Sequence, residues 1–151
     1  MVHAATHEDI PRLIEMMEEF YAEGHFELDH AEATKSFRTL LENEPFGAIW
    51  MSFDGDQAVG YVVLTVRFSM EFGGFDGCID DLYVRPAARR KGFAHELIEA
   101  LLIECHDRDL ESLHVEVAPD NIPARHLYNR AGLQLRDDKR DTMVARLKGT
   151  F

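Results

Sequence analysis

The chain has 151 residues, 46% of them hydrophobic and ten of them Phe, enough apolar mass for one sizeable core without disulfides or a structural metal. Its 28 Asp and Glu outnumber 16 Lys and Arg, and a formal net charge of −12 speaks against a nucleic-acid-binding surface. The longest apolar run, Ala58 to Val66, falls far short of the ~20 residues of a membrane span, and Met1 to Asp9 carry no leader pattern, so a cytoplasmic protein made of one domain over residues 1–151 is expected.

Val2 to Ala5 reads as a first strand, and Ile10, Leu13, Ile14, Met17 and Tyr21 stripe a first helix. A second helix is predicted from about His30 to Asn43. Gly47–Phe53 and Ala58–Phe68 then form a hairpin about Asp54-Gly55-Asp56-Gln57, because Asp-Gly supplies the positive-φ positions such turns need. The next strand carries Ile79, Leu82 and Val84 and stops at Pro86. After it, Ala94, Leu97, Ile98, Leu101 and Cys105 mark one face of a helix that begins just past Arg90. Leu113, Val115 and Val117 read as a short strand, and Asn121 is a good N-cap for a helix with Pro123 in its first turn and Gly132 at its end. A short strand near Leu133–Arg136 and an edge strand over Thr142–Leu147 complete the order β-α-α-β-β-β-α-β-α-β-β, an α/β (α+β) chain.

Four of the 16 basic residues, Arg85, Arg89, Arg90 and Lys91, fall within seven positions of an otherwise acidic molecule. They lie where a strand turns into a helix, whose first turn has unpaired N–H groups that attract an anion. Gly92 has no Cβ and Ala94 only a small one, so phosphate oxygens could approach the backbone closely. A phosphate-bearing ligand accounts for this local reversal of charge; a surface basic loop on a generic α/β domain is the blander alternative. Neither G-x-x-x-x-G-K-[ST] nor G-x-G-x-x-G is present.

The stretch Arg89-x-x-Gly92-x-Ala94 after a strand resembles the acetyl-CoA loop of the GNAT (general N-acetyltransferase) superfamily. A second segment, 27 residues after Ala94, strengthens the resemblance: Asn121, then Ala124, Leu127-Tyr128 and Gly132-Leu133. Leu133 stands where Phe is usual. The resemblance implies the GNAT fold, with a mixed, mostly antiparallel central sheet of six to seven strands flanked by about four helices. It also implies acetyl-CoA as co-substrate, held by the backbone of Leu82, Tyr83 and Val84, by Arg89, Arg90, Lys91, Gly92, Phe93 and Ala94, and by Asn121. A homodimer is compatible with it, and the sequence leaves the oligomeric state open.

Acetyl transfer to an amine needs a neutral nitrogen, yet an alkyl ammonium is almost wholly protonated at pH 7. A base must take that proton, and a donor must serve the departing CoA thiolate. The resemblance puts Tyr128 at the donor position; otherwise it is a core tyrosine completing the apolar stripe of its helix. Three carboxylates compete as base. Glu116 sits as in ribosomal-protein alanine acetyltransferases, whereas Asp80 and Asp81 sit as in spermidine/spermine-type enzymes. Strand alternation allows at most one of Asp80 and Asp81 to face the cleft. Glu23, Glu27 and Glu71, among other acids, suggest a cationic, polyamine-like acceptor attacking directly in a ternary complex, though the glutamates of the first helix could equally be a solvated face.

Peptide N-termini or amino acids are the alternative acceptors. A non-catalytic acyl-CoA sensor and a phosphate-ligand binding module are the alternative functions. Cys78 as an acyl carrier has no activating His beside it in sequence, and the eight histidines include no HExxH pair, so no metal is expected.

Overall fold

The structure is a computed structural model that describes residues 1–136 and 139–149. Five strands, β1 (Val2–Ala4), β2 (Gly47–Asp54), β3 (Gln57–Ser69), β4 (Gly74–Val84) and β5 (Ser112–His114), line up in chain order in one sheet. The first four run antiparallel, with short turns joining β2 to β3 and β3 to β4 and two helices lying between β1 and β2, and β5 joins β4 in parallel after a helical crossover. Four helices flank them: α1 (Ile10–Glu23), α2 (His30–Glu42), α3 (Phe93–Asp107) and α4 (Ile122–Arg130).

The period-two alternation of β2, β3 and β4 divides the core between the two sheet faces. On one face Leu13, Met16 and Phe37 from α1 and α2 pack on Ile49, Met51, Tyr61, Val63 and Tyr83. On the other, Leu97, Ile98 and Leu101 of α3, with Tyr128 of α4, cover Val62, Leu64, Ile79 and Val84. Each such side chain contributes ~1.5–3 kcal/mol on burial. The apolar stripes read from sequence in α1 and α3 are the faces that pack here.

Two expectations need correction. Residues 133–136 and 142–147 form no strand: they run as irregular chain, with Leu135 71%, Met143 95% and Leu147 93% exposed. A strand exists only with a partner. Here Arg136 and Arg140 are drawn to Glu71 in the β3–β4 turn, at 2.8 and 3.2 Å, and the sheet has five strands among the described residues instead of six or seven. The second correction concerns alternation in β4. Val63 faces Asp81 and Leu64 faces Ile79, so Asp80 is an extra, bulged residue, and a bulge cancels the rule that neighbouring residues face opposite sides.

Candidate functional site

β4 and β5 pair only over Asp76–Cys78 and Ser112–His114. β5 ends there, and the margin of β4 that faces away from β3 has no strand neighbour from Ile79 to Val84 among the described residues. From the end of this open margin the chain runs into the loop at the start of α3. Gly92 is the N-cap of α3 with φ +92°, and the first helical hydrogen bond runs from Glu96 N–H to Gly92 O. The amides of the first turn therefore have no helical acceptor and form an anion-seeking helix end. A Cβ on Gly92 would meet nothing within 4 Å, so its backbone lies open to a ligand, while its positive φ disfavours any other residue.

The cations of this loop divide their work. Arg85 is mostly buried, binds both oxygens of Glu19 through Nε at 3.1 and 3.0 Å, and donates to Ala58 O, which fixes the loop to α1. Arg89 donates from Nε to Val84 O at 2.8 Å and also pairs with Glu23. Val84 O is thereby engaged by a side chain. Arg90 (φ +64°) and Lys91 are exposed and have no side-chain partner among the described residues. Asn121 caps α4 by accepting from Ala124 N–H at 3.3 Å.

The bulge at Asp80 brings both aspartates to one cavity. A space of about 560 Å³ between α2 and the sheet is lined by Asp80 and Asp81 together with Glu32, Lys35, Met17, Phe37, Leu40 and Phe46. Asp80 is exposed, whereas Asp81 is half-buried and accepts a hydrogen bond from Tyr61 O–H at 3.1 Å. Burial, reinforced by the charge of Asp80 and opposed by the Tyr61 hydrogen bond, pushes the Asp81 carboxyl up to about 6. The same carboxylates, after burial, raise the Tyr21 phenol.

Glu116 and Tyr128 meet on a different surface, a cleft of about 870 Å³ along the outer side of β5 and α4. Glu116 is exposed and makes no hydrogen bond or ion pair among the described residues. Tyr128 is 8% exposed, and burial raises its phenol above the ordinary value.

Of the three acceptor-side glutamates read from sequence, Glu23 is held by Arg89 and Glu71 by Arg136 and Arg140, while Glu27 is exposed. None of them lines the cavity with Asp80 and Asp81; Glu32 does. Sequence reasoning missed Glu32 and Tyr61 because only the fold brings α2 and β3 to Asp81. It also missed Asp76, 1% exposed, which binds Ser112 Oγ at 2.6 Å, His114 Nδ1 at 2.9 Å and Arg67 Nε at 3.0 Å. Burial works against the Asp76 charge, but these donors outweigh it and hold the carboxyl below its usual value. The available signal was a charged residue in the strand segment Phe75-Asp76-Gly77-Cys78-Ile79, where its neighbours are uncharged.

His114 sits opposite Cys78 in the β4–β5 register, a neighbour the sequence order concealed. Even so, burial and the charges of Asp80, Asp76 and Glu116 push the Cys78 thiol up to about 11, so it stays protonated and poorly nucleophilic at neutral pH. Among the described residues no cluster of His, Cys, Asp and Glu could hold a metal, and no helix is long and apolar enough to cross a membrane.

The sequence profile of the Acetyltransferase (GNAT) family matches residues 10–133. The structure is similar to that of integron cassette protein HFX_CASS3 from the mobile metagenome of Cole Harbour Salt Marsh, with TM-score 0.88 and 36% identity over 99% of this chain and 91% of that one. It shares its fold with a predicted acetyltransferase from Clostridium acetobutylicum solved with acetyl-CoA (TM-score 0.77, 19% identity, 95% of each chain covered). The same holds for ribosomal-protein-alanine N-acetyltransferase from Brucella melitensis biovar Abortus 2308 (TM-score 0.74, 20% identity, 97% of this chain and 99% of that one).

Proposed function

The chain belongs to the GNAT acetyltransferase family and is an N-acetyltransferase, and we propose that it moves the acetyl group of acetyl-CoA to a cationic primary amine, with Asp81 as general base. The observation that carries this reading is the Asp81 carboxyl, raised to about 6 at a cavity that Asp80 and Glu32 also line. A base near the working pH is largely ionised at pH 7 yet holds a proton well enough to take one from an ammonium. An ordinary exposed carboxylate is a weaker acceptor. Three acids against the single Lys35, with Met17, Phe37 and Leu40 between them, suit an ammonium on an aliphatic stem, as in a polyamine.

Acetyl-CoA fits the residues present. The open backbone at Gly92 and the unpaired amides at the start of α3, with Arg90 and Lys91, would hold its pyrophosphate; the free margin of β4 would hold its pantetheine arm. The bound cofactor supplies the activated acyl group. Asp81 takes a proton from the acceptor ammonium and passes it to water beside exposed Asp80. The freed amine attacks the thioester carbon directly, and Tyr128, protonated at neutral pH and approaching the open margin of β4 from the sheet face opposite Asp81, is the donor assigned to the thiolate. A thiol as reluctant as Cys78 supports direct attack over an acyl-enzyme.

Thiol release from acetyl-CoA across a panel of diamines, polyamines, amino acids and peptide N-termini tests the assignment. Polycationic amines should react fastest, with kcat/KM falling as salt is added. Equal rates for neutral-bodied amines without salt dependence would move the acceptor to amino acids or peptide N-termini. Cofactor binding without thiol release on any amine would make the protein an acyl-CoA sensor.

A further inference from the structure

Among the described residues, Tyr61 is the only side chain that hydrogen-bonds to Asp81: its O–H donates to Oδ2 at 3.1 Å, and Oδ1 is left without a partner. The strand register makes this contact. Asp81 lies opposite Val63, so it falls on the sheet face that carries Tyr61 and Val63, and a tyrosine two residues along the facing strand is long enough to reach it diagonally. Without the bulge at Asp80, Asp81 would oppose Val62 and turn to the other face.

Tyr61 is fully buried, and its ring is wedged between Phe37, edge-on at 6.2 Å, and Tyr83 at 6.4 Å between centroids. The hydroxyl is held in place. Burial first, and then the charge of Asp81, raise the phenol above its ordinary value, so it stays a donor wherever Asp81 titrates. A proton reaching Asp81 therefore lands on Oδ1, the oxygen left free on a side chain that lines the cavity with Asp80, Glu32 and Lys35.

Resting on the assignment of Asp81 as general base, we propose that Tyr61 is a positioning residue for acetyl transfer: its hydroxyl anchors Asp81 Oδ2 and so presents Oδ1 to the acceptor ammonium. Being fully buried, Tyr61 touches neither substrate nor cofactor and acts through the carboxylate alone. Its hydrogen bond also favours the ionised carboxylate, because a charged acceptor binds a donor more strongly than a neutral one does. The neighbouring charge of Asp80 pulls the other way.

Tyr61→Phe removes the hydroxyl and keeps the ring that packs on Phe37 and Tyr83, so circular dichroism should be unchanged. The other groups facing Asp81 stay: Asp80 on its own strand, Tyr21 of α1, and Glu32 and Lys35 of α2. A carboxylate that loses its donor binds its proton more tightly, so the acid limb of kcat/KM should move up by about one pH unit and the variant should be about tenfold slower below pH 6. The Asp81 carboxyl midpoint, read by carbon NMR on the protein without ligands, should move the same way. Tyr21→Phe removes a phenol that faces the same carboxylates without a hydrogen bond to them, and should leave both midpoints in place. An Asp81 midpoint that stays put in Tyr61→Phe would overturn the inference and leave the base assignment standing, as would an equal shift in Tyr21→Phe. An Asp81 midpoint that moves while the limb of kcat/KM does not would overturn the base assignment, and the inference with it.

Discussion

The same functional group is put to different use at two places near the ends of β4 and β5. Asp81 lies in β4 and Glu116 two residues past the end of β5, and both are candidate bases by sequence. Asp81 is half-buried, bonded to Tyr61 and crowded by Asp80, and its carboxyl rises to about 6. Glu116 stands in solvent on another cleft with no partner among the described residues. Environment separates a base from a surface acid, and here a single bulged residue creates that environment.

The sharpest way to break this contrast is Asp81→Asn. Its turnover should fall by about 10²–10⁴-fold, the range of one acid–base group, while acetyl-CoA binding measured by calorimetry stays within twofold or so. The same variant should be more stable than wild type at pH 8. A carboxyl whose folded pKa is raised contributes stability that is complete below its unfolded value near 4 and lost as pH climbs through about 6, and Asn has no such loss. A thermal melt at pH 8 showing no gain for Asp81→Asn would mean the carboxyl is not held in the way described here.

Tyr128→Phe should lower kcat by about 10²-fold with the fold intact, since burial leaves the phenol as a donor and removing it touches no hydrogen bond among the described residues. Turnover unchanged in that variant would make Tyr128 a packing residue of the α3 core. Gly92→Val tests the cofactor side. A β-branched residue forced to φ +92° costs ~1–2 kcal/mol and disturbs the turn that presents the helix end, so the Kd for acetyl-CoA should rise about tenfold or more while an acceptor analogue still binds. The smallest effect belongs to Glu116→Gln, for which kcat should change less than about threefold, because a solvated carboxylate gives up little on losing its charge.

Much of this was legible in the chain, and the exceptions share a cause. The amphipathic stripes of α1 and α3, the Asp54-Gly55 hairpin and the Asn121 cap are set by neighbours within a turn or two, and local pattern reads them well. The bulge at Asp80 was not legible, because it exists only as a mismatch between β4 and the register of β3. Likewise Glu32 reaches Asp81 only through the packing of α2, and the acids Glu23 and Glu71 were spoken for by arginines 66 and 65 residues away. Strand-like alternation over 142–147 was visible, but alternation gives a strand its faces and not its partner.

The pH dependence of kcat/KM tests the central claim most directly, compared across wild type, Asp81→Asn and Glu116→Gln with one polycationic amine. For the free enzyme the wild type should rise about tenfold per pH unit below a midpoint near 6 and then level, until ionisation of the amine itself intervenes. Glu116→Gln should retain that limb and Asp81→Asn should lose it. A limb that survives in Asp81→Asn and disappears in Glu116→Gln would contradict the account and put the base on the outer cleft.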